Sequence, residues 1–147
     1  MPLLAGQIVT AGQLNRMQPK PYAAAATGPL TASTAYTLIP GCTLTIATTV
    51  PGAIWTATGV FDCNVTTVHA TNLMVGRLTV NGSSDSGLAI HAMDTLDRDT
   101  VAMLWGPGTL AAAGNHVFNM EGVINGSGGA GGFLAYSRLA VTVYEPV

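Results

Sequence analysis

Charge is what this sequence has least of. Asp, Glu, Lys and Arg make up 8% of its 147 residues, where about a quarter is usual in soluble domains. Arg16, Lys20, Arg77, Arg98 and Arg138 are scattered, and the formal net charge is −2. No basic patch offers the several phosphate contacts that nucleic-acid affinity requires, so no nucleic-acid partner is expected. Nor does any apolar run approach the roughly 20 residues of a membrane-spanning helix. Leu3-Leu4, with no Lys or Arg before it, is too short for a secretory signal. No membrane partner is expected, and folding in a cytoplasm is. Cysteine is nearly missing too. Cys42 and Cys63 lack metal-ligand spacing and read as two small buried hydrophobes in reduced form. Aromatics are 6% of the chain.

What fills the sequence is Thr, Ala, Gly, Ser and Val. From Thr34 onward, short β-prone runs alternate with turn signals. Tyr36–Ile39 ends at Pro40-Gly41, and Thr43–Thr49 ends at Pro51-Gly52. The clearest strand alternates Trp55, Ala57, Gly59, Phe61 and Cys63 with Thr56, Thr58, Val60, Asp62 and Asn64, one face core-like and one mostly polar. Leu73–Val80 closes on Asn81-Gly82, a tight-turn pair. Leu88–Met93, Thr100–Trp105, His116–Ile124 and Leu134–Tyr144 follow. In His116–Ile124, Phe118, Met120 and Ile124 oppose Asn119 and Glu121. Trp55, Phe61, Trp105 and Phe118 read as core anchors. Without amphipathic helices between the runs, a parallel α/β sheet is excluded. The expected fold is all-β, an antiparallel jelly roll or β-sandwich of about eight strands.

The residues able to do chemistry do not gather. His69, His91 and His116 sit in different predicted elements with no zinc spacing. No G-x-S-x-G elbow marks a nucleophile. Asp62 and Glu121 read as solvated residues on the polar faces of strands. Asp94, Asp97 and Asp99 share the loop DTLDRD with Arg98. That loop lacks the regular calcium pattern and reads as a solvated turn with a local ion pair; whether it binds a cation stays open. The run Asn125–Gly132 lacks the Gly-Lys-Ser/Thr ending of a phosphate loop. It reads as a flexible hairpin tip whose Gly126, Ser127, Gly128 and Gly129 are candidate contact residues. The chain is expected to be no enzyme and to need neither metal nor cofactor.

The N-terminus is different in kind. Ala5-Gly6-Gln7-Ile8 is echoed by Ala11-Gly12-Gln13-Leu14. Thr10 and Gln13 match a capping box, predicting a short helix from Ala11 to about Gln18 with Leu14 and Met17 on one side. Two turns do not hold alone in water, so such a helix leans on something. Pro19, Pro21 and Pro29 then keep the chain extended. Residues 1–33 therefore read as a docking arm, gripping through Leu3, Leu4, Ile8, Leu14 and Met17, and residues 34–147 as the β domain. A lone monomer this short of charge is poorly protected at its sheet edges, so burial against copies or partners is expected.

The opening resembles the Ala-Gly-Gln-x-Leu-Thr-Ala-x-x-Leu-Asn start of small virion proteins of tailed phages that infect actinobacteria. Ala5, Gly6, Gln7, Thr10, Ala11, Leu14 and Asn15 match, and Val9 replaces the usual Leu. Trp55–Phe61, Val75–Val80 and Leu139–Tyr144 are similar in style to trimeric jelly rolls of the complement-C1q/tumour-necrosis-factor type. The resemblance implies a structural protein: a homotrimeric capsid decoration protein on the virion surface. It would bind the major capsid protein, stabilise the shell and be assembled in the host cytoplasm. A minor tail or fibre protein with a host-surface-binding β domain is the alternative.

Overall fold

The computed structural model describes residues 8–31 and 33–147. A short helix, α1 (Ala11–Met17), precedes ten strands: β1 (Lys20–Ala25), β2 (Leu30–Thr31), β3 (Thr37–Thr48), β4 (Ala53–Thr67), β5 (Leu73–Val80), β6 (Ser83–Ala92), β7 (Arg98–Leu110), β8 (Gly114–Asn125), β9 (Ala130–Phe133) and β10 (Arg138–Tyr144). They form two antiparallel sheets. In the first, β4 is flanked by β7 on one side and, along successive halves of its length, by β10 and β9 on the other; β1 extends β10 and β2 extends β9. The second runs β3-β8-β5-β6. The pairs β1–β10, β3–β8, β4–β7 and β5–β6 nest inside one another, so the chain folds as one long hairpin rolled up. That is the jelly-roll arrangement expected from the sequence.

The alternation in β4 is what builds the core. Ala53, Trp55, Ala57, Phe61, Cys63 and Val65 all point inward and are buried. Across from them stand Met74 and Leu78 of β5, and Phe118, Met120 and Ile124 of β8. Trp55 meets Phe118 edge-on at 5.4 Å, and Phe61 meets Trp105 at 6.0 Å and Phe133 at 5.9 Å. Burying each such side chain contributes about 1.5–3 kcal/mol, and each edge-to-face pair about 0.5–1.5 kcal/mol more. Small residues make room for the rings. A Cβ at Gly76 would stand 2.3 Å from Phe61, and one at Gly122 2.3 Å from Phe133.

Several boundaries differ from the sequence reading. Tyr36–Ile39 and Thr43–Thr49 are not two strands; β3 absorbs nearly all of both, with its pairing to β8 shifting between Leu38 and Thr43. The run expected as Leu134–Tyr144 is two strands, because residues 134–137 turn between β9 and β10. β7 does not stop at Gly106-Pro107-Gly108 but passes through it with a shift of register against β4. Within the stretch assigned to the arm, β1 pairs along its whole length with β10, and Ala26 N–H donates to Ser137. The Asn81-Gly82 turn forms as expected, with φ of 52° and 82°, the left-handed pair that such hairpins need.

Candidate interaction surface

The outer faces of the two sheets carry the features that distinguish this molecule. On the first sheet, register sets Ile54 against Tyr144, Thr56 against Thr142 and Thr58 against Ala140, with Ala23 and Pro21 of β1 beyond them. On the other side of β4, Leu104 pairs with Thr58 and Ala102 with Val60. Leu104 is 67% exposed. Arg138, beside Val60, is the one charged side chain at these register positions among the described residues. Strands normally put Lys or Glu on such a face; here they put Ala, Thr and exposed aliphatics.

The second sheet is apolar at one end of its outer face. Leu73 and Val75 of β5, Leu88 and Ile90 of β6, Val123 of β8 and Tyr36 line a groove of about 450 Å³, closed at one end by Asn125 and Gly126. Val75 lies between Ile90 and Val123 in the ladder, which sets the three side by side. Leu88 and Ile90 remain largely exposed. Next to this patch, Arg77 Nε donates to Glu121 Oε2 at 2.7 Å, and the guanidinium stacks 3.8 Å over the Tyr36 ring. The pair cancels its own charge and the ring covers it. Glu121 is therefore engaged rather than free, and it sits on the opposite sheet from Asp62, so the two carboxylates form no acid/base pair.

Asp62 contradicts the sequence reading most clearly. It was expected on a solvated face, yet it is buried. The turn between β9 and β10 crosses over it: Leu134 N–H donates to the Asp62 carbonyl at 2.8 Å, and Tyr136 N–H to its carboxylate at 3.0 Å. Arg98 reaches across from β7 and grips the carboxylate with Nε at 2.8 Å and Nη2 at 2.7 Å. The two-pronged Arg98 contact holds the Asp62 carboxyl below its ordinary range, against the opposing effect of burial and with help from the Tyr136 amide. Arg98 thus pairs with a distant strand instead of within its own loop. Nothing local in the sequence gives this away, since the partners stand 36 and 74 residues from Asp62.

The rest of the acidic loop is dispersed. Asp97 Oδ1 accepts from His91 Nε2 at 3.0 Å, and Asp99 Oδ1 accepts from Thr100 N–H at 2.7 Å. Among the described residues, no three His, Cys, Asp or Glu side chains gather as a metal-binding group. The Gly-rich tip is tied down: Asn72 Nδ2 donates to the Ser127 carbonyl at 3.0 Å, and Gly128 and Gly129 pack against His69. Gly131 and Gly132 belong to β9, where a Cβ would strike the carbonyls of Asn64 and Leu30. A second depression, of about 390 Å³, lies beside Trp55, Asn81, Asp85 and Gly108. Two of its polar groups are engaged within the chain: Asn81 Oδ1 accepts from Val117 N–H, and Asp85 Oδ1 from Gly87 N–H. Gly108 covers the Trp55 ring. Cys42 and Cys63 are free, buried thiols, as expected. Burial pushes Cys42 up to about 11 and, with the nearby Asp62, Asp99 and Asp97 charges adding, Cys63 up to about 12.

The arm's described part is a folded but uncovered element. Thr10 Oγ1 accepts from Gln13 N–H at 3.2 Å and Gln13 Oε1 from Thr10 N–H at 2.8 Å, the reciprocal box read from the sequence. α1 buries no residue. Ile8 is 86% exposed, Leu14 54% and Met17 43%. Leu3 and Leu4 lie outside the described residues. At the arm's root, Lys20 Nζ donates to Glu145, which also accepts from Thr49 N–H and, at 3.1 Å, from Thr49 Oγ1. Burial opposes ionisation of Glu145, yet Lys20 and Thr49 outweigh it and hold the carboxyl below its ordinary range.

No protein-family model matches the chain, and no curated protein matches it. Among solved structures, the chain is similar to one in the structure of infectious bursal disease virus Gx strain, with a TM-score of 0.48 and 10% identity. It is also similar to one in the structure of the Gt strain of that virus, with a TM-score of 0.43 and 14% identity. In both, 86% of this chain is covered and it spans 32% of the other's length. At these identities the likeness concerns the fold alone.

Proposed function

We propose that this protein is a virion structural component, a capsid decoration protein that self-associates as a trimer and covers the outer surface of a major capsid shell. The observation that carries the reading is the pair of outer sheet faces described above. One is an Ala/Thr/aliphatic surface whose charges are Arg138 and, further along β4, the Arg98–Asp62 pair, and the other an apolar groove beside a self-neutralised ion pair. Faces of this kind are unsuited to permanent contact with water and suited to burial between copies. Obligate interfaces cover about 2,000–5,000 Å² or more, and repeated over a shell such contacts resist outward pressure. The resemblance of the Ala5–Asn15 sequence to the start of small phage virion proteins agrees with this reading.

The protein acts by binding, without catalysis and without a cofactor. Asp62, Glu121 and Glu145, the carboxylates that the fold removes from solvent, are each held by a cation. The reading is tested by counting copies per particle, through gel densitometry of purified virions against the major capsid protein. Decoration predicts hundreds of copies. A few copies per particle would overturn it in favour of a tail or fibre position, with the Gly126–Gly129 tip facing the host.

A further inference from the structure

We propose that α1 of one copy seats in the groove of the second sheet of another copy, joining copies head to tail. The inference deepens the self-association part of the proposed function and rests on it. Both halves of the contact are present and unused. α1 is capped and formed, yet none of its residues is buried and Leu14 and Met17 stand exposed, although the Arg16 Nε is covered without a partner, and a helix of seven residues needs cover to persist. The groove offers Leu73, Val75, Leu88, Ile90 and Val123, an apolar floor for Leu14 and Met17.

A chain cannot fill its own groove with this helix. Lys20 pairs with Val143 and is tied to Glu145, which holds Thr49. Thr48 in turn pairs with Gly114 at the start of β8. The arm therefore leaves the sandwich at the Gly114 end. The centre of the groove is at Val123, nine residues further along β8, or about 30 Å. From Lys20 to Leu14 the chain spans three extended and three helical steps, about 15 Å. The occupant must come from elsewhere.

Charge favours a second copy. Residues 8–19 carry Arg16 and no acid, whereas residues 20–147 hold four cations and seven acids, a net of 4 − 7 = −3. Asp94 lies two residues beyond Ala92, which pairs with Leu73 at the groove's far end, so an acid flanks the site that would receive the helix bearing Arg16. Because the arm and the groove are at opposite ends, the contact is heterologous, and a closed ring of three satisfies every arm and every groove.

The test uses the full chain with exposed positions changed: Leu14→Asp with Met17→Asp in the arm, and Ile90→Asp or, separately, Leu88→Asp in the groove. Circular dichroism melting verifies that each variant folds. In sedimentation at micromolar concentration, each variant alone is expected to associate at least about tenfold more weakly than the parent. Mixing the arm variant with either groove variant is expected to restore a one-to-one pair, since each supplies the half the other lacks. An unpaired mixture, an arm variant of parental mass, or a parent chain that is itself monomeric would overturn the proposal. Loss of association in the groove variants alone would overturn it in favour of face-to-face packing of the second sheet. Particle counts read the decoration proposal separately: hundreds of copies of an arm variant with parental mass on virions would remove this contact and leave decoration standing.

Discussion

Replacing Asp62 with Asn keeps the side chain's shape and removes its charge. In the folded protein the carboxylate accepts two bonds from Arg98 and one from Tyr136 N–H. Hydrogen bonds to charged groups contribute about 1.5–3 kcal/mol each, but the Arg98 side chain is 45% exposed, so solvent screens its share. The net loss expected for Asp62→Asn is about 2 kcal/mol at pH 7, a fall of about 5–8 °C in melting temperature for a chain of this length. The sign of the pH dependence follows from the direction of the shift. The folded-state pKa is lowered, so the stabilisation is complete above the unfolded carboxyl value near 4 and is lost as pH falls through the lower folded value. The gap between parent and variant should therefore be full at pH 7 and close toward pH 2. Urea unfolding of both proteins across that range measures it. A gap that stays constant with pH, or no gap at pH 7, would refute the argument that charge pairing with Arg98 secures the β9–β10 turn.

Other expectations follow from the same structure. Gly76→Ala places a methyl group inside contact distance of the fully buried Phe61 ring and should cost about 1–3 kcal/mol, read as a lower urea midpoint with unchanged slope; a neutral result would mean the core is looser than described. Glu145→Gln weakens the tie to Lys20 and Thr49, so hydrogen exchange of β1 amides should quicken while β8 amides stay protected. Cys42 and Cys63, both raised by burial, should resist iodoacetamide at pH 8 until the protein is unfolded. Because unfolded thiols ionise near 9 and the folded ones do not, stability should also decline as pH rises above 9; alkylation at the unfolded rate would contradict the buried placement.

The parts of the fold legible in the sequence are those set by local rules. Trp55 to Cys63 alternates because only one face of β4 meets the core, and Asn81-Gly82 and Thr10/Gln13 are readable because turns and caps depend on residues a few positions apart. What escaped depends on distant partners. Pro19, Pro21 and Pro29 read as keeping an arm extended, but a proline is tolerated at a sheet edge, and β10 supplies the ladder that makes Lys20–Ala25 a strand. Gly131 and Gly132 read as loop because nothing local announces that the Asn64 and Leu30 backbones approach them. The candidate surface was legible in part: charge scarcity pointed to buried faces, and β5, apolar at Leu73, Met74, Val75 and Leu78, has both faces suited to burial. The groove itself needs β6 and β8 beside it, which only the folded register brings.

The central claim is that these charge-poor sheet faces exist to be covered by sister chains. Native mass measurement of the purified full-length protein at micromolar concentration tests it most directly. A species three times the chain mass, persisting in high salt because its contacts are apolar, is the predicted result. A monomer that remains soluble over the same range would contradict it.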